Sequence, residues 1–139
     1  TAPACVHPPK GIYVTPHMVS RTSPVDLLTS IAEPTRLRII HCLAAAPLFV
    51  SDLQVILKLP QPTVSRHLRI LRDAGVVRDT PIAQFVLYRL RPGTDADGRL
   101  VAAIMESLAG DETFNTERQR AADRSHTHTR QRTAEPVPE

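Results

Sequence analysis

Tryptophan is absent from the 139 residues, and aromatic side chains make up only 4% of them. A core must therefore rest mainly on aliphatic residues; apolar side chains reach 42%, enough for one compact domain. No apolar run approaches the ~18 residues of a membrane-crossing helix, which excludes a helical span. Residues 1–10 lack the charged-then-apolar order of a secretory signal. Only two cysteines are present, Cys5 and Cys42. That is too few for a disulfide framework, so a cytoplasmic setting is expected. There is no Gly-rich phosphate loop, no nucleophile elbow and no His/Cys/carboxylate cluster at catalytic spacing, so an enzyme is not expected.

Lysine is nearly missing too. Lys10 and Lys58 are the only two, and arginine supplies the other 15 of 17 basic charges. Against 14 acids the net charge is +3, which identifies nothing by itself. Its distribution is more informative. Between Gln61 and Arg91 lie Arg66, Arg69, Arg72, Arg78, Arg89 and Arg91 with only Asp73 and Asp79, so this stretch carries +4 and the remainder −1. Guanidinium forks suit bidentate contact with phosphate or guanine.

Proline and the lack of apolar periodicity mark residues 1–22 as an extended arm, and residues 126–139 read as a disordered tail. The folded part is expected over residues 23–125. Ser23 caps a first helix begun by Pro24, and Pro34 opens a second, running to Ala46 with Leu37, Ile40, Leu43 and Ala44 inward. Ser51 is placed as the cap of a third helix with Leu53, Ile56 and Leu57 inward. A tight connection, Lys58 to Gln61, leads to a fourth helix, Pro62 to Asp73, stopped by Gly75. Periodicity then changes to that of strands: Val76 to Asp79 and Gln84 to Leu90 read as a hairpin broken at Thr80 to Ala83. A fifth helix starts near Asp95 or Asp97 and carries Leu100, Val101, Ile104, Met105 and Leu108; beyond Gly110, residues 112–124 read as a further polar helical segment. The predicted fold is mainly α with a small β-hairpin, in the order α-α-α-α-β-β-α of a winged helix-turn-helix.

The third and fourth helices carry the functional signal. In the fourth, Val64, Leu68 and Leu71 form one inward stripe. The opposite face presents Thr63, Ser65, Arg66, His67, Arg69 and Arg72, with Gln61 at the start and no acid before Asp73. Such a row of donors fits a helix lying in a major groove, with its N-terminal end on base edges and its arginines on guanine or phosphate. Gln61, Thr63, Ser65, Arg66, His67 and Arg69 are therefore the candidate DNA-binding residues, and Arg78, Arg89 and Arg91 offer a backbone-contacting wing. A solvated basic face is the plainer alternative, and the order of elements argues against it.

Three segments, Ile31-Ala32-Glu33-Pro34-Thr35-Arg36-Leu37-Arg38-Ile39-Ile40, then Gln61 to Val77 (QPTVSRHLRILRDAGVV), then Val86-Leu87-Tyr88-Arg89-Leu90, resemble the ArsR/SmtB family of bacterial repressors, in order over about residues 25–109. The resemblance implies a homodimer joined through the first and fifth helices, binding a double-stranded DNA operator through the fourth. It also implies release of that DNA when a metal, metalloid or other signal binds. Two turns depart from the family pattern. Lys58 stands where glycine is common, and the wing tip, Asp79 to Ala83, has Pro81 and no glycine.

The family's metal sites do not carry over. A third-helix site needs two thiolates spaced C-x-C before Asp-Leu, and this chain has Phe49-Val50-Ser51-Asp52-Leu53 there. The fifth-helix zinc site needs Asp-x-His, and the corresponding residues are Asp97-Gly98-Arg99. Cys42 reads first as a small buried hydrophobe, with His41 beside it as a surface or partly satisfied histidine. The sharper alternative pairs Cys42 with Cys5 as a disulfide or on a soft metal or metalloid ion; Cys5-Val6-His7 and His126-Thr127-His128 read as incidental. Two regulators are thus compatible with the sequence: a repressor released by a signal, or a winged-helix protein without a small-ligand site, controlled by a protein partner or acting constitutively.

Overall fold

The computed structural model describes residues 23–134, with side chains as far as His128. The arm, with Cys5, lies outside the described residues. The elements are α1 (Pro24–Ile31), α2 (Pro34–Ala45), β1 (Leu48–Phe49), α3 (Val50–Leu57), α4 (Gln61–Asp73), β2 (Val77–Ile82), β3 (Phe85–Leu90), α5 (Ala96–Ser107) and α6 (Glu112–Ala134). This is the winged helix-turn-helix order, extended by a two-residue strand and a long last helix.

Local chemistry explains most boundaries. Ser23 Oγ accepts from the Asp26 N–H, capping α1 as expected. Glu33 does the same for α2, accepting from the Arg36 N–H at 2.8 Å. The start of α3 differs from expectation. Ser51 is exposed inside the helix, and the Asp52 carboxylate reaches back to the Phe49 N–H at 2.9 Å, so the helix begins two residues earlier. At the end of α4, Gly75 has φ +75°. The Gly75 N–H bonds the Arg72 carbonyl and the Val76 N–H bonds the Leu71 carbonyl, the paired closure of a Schellman motif.

The α3–α4 turn is made by Lys58, which sits in the left-handed region (φ 57°, ψ 45°). A β-carbon is unfavourable there, so Lys58→Gly is expected to stabilise the fold by about 0.5–1 kcal/mol, read as a higher urea midpoint with unchanged slope.

The hairpin is longer than its periodicity indicated. Thr80, Pro81 and Ile82 belong to β2, with Pro81 opposite Val86 and Ile82 opposite Phe85. Proline is tolerated because β2 is an edge strand in the order β1-β3-β2. The turn is only Ala83-Gln84, and Ala83 adopts φ 54° in place of the missing glycine. β1 pairs with β3 (Leu48 with Tyr88, Phe49 with Leu87) and closes the sheet against the start of α3; two residues are too few for any periodicity to reveal.

α2 runs through the centre. Ile39, Ile40, Cys42 and Leu43 are buried, whereas Ala44, expected inward, is exposed. The buried arc is wider than one amphipathic face because α6 packs along α2 as well. That also overturns the expectation for His41. It is 1% exposed, its ring meets Phe114 of α6 edge-on at 5.4 Å, and neither ring nitrogen has a hydrogen-bond partner among the described residues. Burial, with Arg118 nearby, holds it below the ordinary histidine range.

α6 changes the expected tail boundary. Of the tail expected to be disordered over residues 126–139, the part as far as Ala134 belongs to the helix, just short of the prolines at 136 and 138. Little apolar surface holds it: Ala121 is buried and Phe114 half-buried. Ion pairs supplement this. Arg38 Nε donates to Glu117 at 2.9 Å. Arg124 Nε donates to Asp52 Oδ1 at 2.8 Å, and His128 Nε2 lies at 2.8 Å from the same oxygen.

Candidate nucleic-acid interface

The inward stripe of α4 is as the sequence predicts: Val64, Leu68 and Leu71 are fully buried against α2 and α3. This fixes which residues face out. Arg66 and Arg69 are exposed, Thr63 and Ser65 half-buried, and Gln61 exposed at the first turn, its amide donating to Ser65 Oγ at 2.8 Å. Five of the six residues singled out on α4 thus share an accessible surface. His67 does not. It is 8% exposed, with Nδ1 3.3 Å from Arg36 Nη1 and 3.8 Å from Glu33 Oε2. Position 67 lies three residues after Val64 and four before Leu71, so it belongs to the buried stripe. The full i, i+3, i+4, i+7 spacing was the signal that could have placed it.

The arginines divide by electrostatic use. Arg38, Arg72, Arg91 and Arg124 are tied to carboxylates: Glu117, Asp79 with Asp73, Asp95, and Asp52. Arg91, expected to serve the wing, is thereby half-buried at the start of α5, where Asp95 also accepts from the Gly98 N–H. Among the described residues no carboxylate stands within ion-pair distance of Arg66, Arg69, Arg78 or Arg89. Two of these oppose each other directly, Arg78 on β2 with Arg89 on β3. Like charges across a strand pair are unfavourable in the free protein. An anion bound between them would remove that repulsion.

Metal chemistry fits poorly. At the start of α3 the family's thiolates are replaced, and Asp52 is fully buried with both oxygens engaged. Among the described residues no three His, Cys, Asp or Glu side chains are grouped to hold a metal ion. Cys42 is a free, fully buried thiol under α6, pushed up to about 12 by burial, so it is not a thiolate at neutral pH. No helix among the described residues is long and apolar enough to cross a membrane.

Comparison with known proteins agrees with this geometry. The family profile described as "Bacterial regulatory protein, arsR family" matches residues 33–79. The chain is 38% identical over 84 residues to the HTH-type transcriptional repressor SmtB of Mycobacterium tuberculosis, covering 60% of this chain and 58% of that protein. It thus spans little more than half the length of that relative. It is 37% identical over 90 residues to the biofilm growth-associated repressor of Agrobacterium fabrum, covering 64% of this chain and 75% of that one. Among solved structures, reduced HlyU from Vibrio cholerae matches with TM-score 0.52 and 36% identity, covering 60% of this chain and 82% of that one. On these alignments, the chain belongs to the ArsR family of bacterial regulatory proteins.

Proposed function

We propose that the protein is a homodimeric transcriptional repressor that binds a double-stranded operator through α4, with the β2–β3 hairpin as a phosphate-contacting wing. The observation that carries this reading is the set of exposed arginines without carboxylate partners among the described residues, Arg66 and Arg69 on α4 and Arg78 opposite Arg89 on the wing. The relatives named above as repressors support it. Selection from a randomised duplex pool long enough for two half-sites about one helical turn apart tests it: an inverted repeat should be enriched, with affinity that falls steeply with salt. No enrichment at low salt sinks the reading.

The dimer is proposed to form through α1 and α5. Val25 and Leu28 on α1 are exposed, and α5 buries none of its residues although Leu100, Val101, Ile104 and Met105 pack partly on the core. A charged residue in this seam, Leu28→Glu with Ile104→Glu, should yield folded monomers by analytical ultracentrifugation and weaken operator binding.

The second reading concerns the signal. The engaged Asp52 and the protonated Cys42 favour a regulator without a thiolate metal site, answering to a protein partner or acting constitutively. Operator affinity measured with and without Zn(II), As(III) and an oxidant separates the readings: a response to any of them returns the protein to ligand sensing.

A further inference from the structure

His67 sits at a junction of three elements. Arg36 Nε donates to the Ser30 carbonyl at the end of α1. Its Nη1 reaches His67 Nδ1 at 3.3 Å, while its own backbone N–H is capped by Glu33 Oε2. The same Glu33 oxygen lies 3.8 Å from His67 Nδ1. A guanidinium can only donate, so a hydrogen bond from Arg36 requires Nδ1 to accept, which is the neutral imidazole with its proton on Nε2.

We propose that His67 is the positioning residue of α4: by accepting from Arg36 it fixes the angle of the groove-facing helix against the α1–α2 elbow. This rests on the reading of α4 as the DNA-binding helix. Adding a proton to Nδ1 reverses the junction. Nδ1–H then faces the donor Arg36 and can be satisfied only by turning to Glu33, whose oxygen is the cap of α2. The charged groups facing His67 are Glu33 and Arg36 from the elbow and Arg66 from its own helix. Burial lowers its proton affinity, Glu33 raises it, and Arg36 and Arg66 lower it, leaving it below the ordinary histidine value. The folded form therefore favours the neutral ring. Its contribution is present above about pH 6.5 and is lost as pH falls below that.

The test uses the full chain and the duplex enriched by the selection above. His67→Asn keeps an oxygen near the place of Nδ1, and His67→Leu removes the acceptor. The expected result is about a tenfold weaker complex for the Leu variant at neutral pH, with near wild-type affinity for Asn, both checked as folded by circular dichroism. Wild-type affinity should fall on going from about pH 7.5 to about pH 5.5 more than that of His67→Asn. A Leu variant that binds like wild type, or an Asn variant with the full acid loss, overturns the proposal. Nitrogen-15 shifts of the imidazole report the tautomer in the free protein, without DNA: Nε2–H supports the proposal and Nδ1–H overturns it. Loss of duplex binding by every form, wild type included, counts instead against the proposed function, and the tautomer then decides the role of His67.

Discussion

Arg66→Ala is expected to weaken operator binding by roughly ten- to a hundredfold, corresponding to ~1–3 kcal/mol for loss of a bidentate base contact. Arg66 stands exposed in the second turn of α4 without an ion-pair partner among the described residues, so the folded chain itself loses little by the change. Arg72→Ala is the internal comparison. Arg72 is bound to Asp79 at 3.2 Å, and removing it should cost less affinity. Arg78→Gln belongs to a different class. It should weaken binding to all sequences alike and reduce the salt slope by about one. The same change removes the repulsion with Arg89, so stability should rise by about 0.2–1 kcal/mol while affinity falls. Opposite signs in the two measurements are what a binding role produces and a structural one does not. Fluorescence anisotropy titrations at several salt concentrations, with urea unfolding of each variant, give both. Unchanged affinity for Arg66→Ala would remove α4 from the interface.

Asp52→Ala is expected to have the largest effect on stability, about 3 kcal/mol or more, lowering the melting temperature by roughly 10 °C. The carboxylate is fully buried and has three donors: the Phe49 N–H, Arg124 and His128. Removing it leaves a helix start uncapped and both α6 partners facing an apolar gap. The partners are more than a third exposed in their side chains, 37% and 38%, so water recovers part of their loss. Asp52→Asn keeps an acceptor for Phe49 and should cost less. Burial alone would raise this carboxyl, yet His128, Arg124 and the Phe49 N–H outweigh it and hold the group below the usual aspartate range. The stabilisation is therefore complete above about pH 4 and lost as pH falls further. The acid limb of wild-type stability should be steeper than that of Asp52→Asn; equal limbs would show that Asp52 is not what pins α6.

How much of this was readable in the chain differs by residue. The stripe Val64, Leu68, Leu71 and the stop at Gly75 follow from side-chain spacing and from glycine's freedom at positive φ. Those are local properties, and the exposed positions of Arg66 and Arg69 follow with them. His67 was misplaced because residue type outweighed position: a polar side chain on the buried arc is legible only through its partners, Glu33 and Arg36, which lie in another helix. Pro81 reads as a break in the sequence because its pairing depends on β2 being the edge of a sheet.

Few aromatics left the core to aliphatic side chains, and few cysteines left no disulfide framework; both statements hold from composition alone. The sequence by itself determined the order of helices, the winged plan, the family and the concentration of arginine between residues 61 and 91. Tertiary structure alone decided which of those arginines remain unneutralised, since Arg72 and Arg91 meet carboxylates that folding brings to them. It also decided that α6 docks. The partners of Asp52 are 72 and 76 residues away, and ion pairs at that separation leave no periodic trace in the chain.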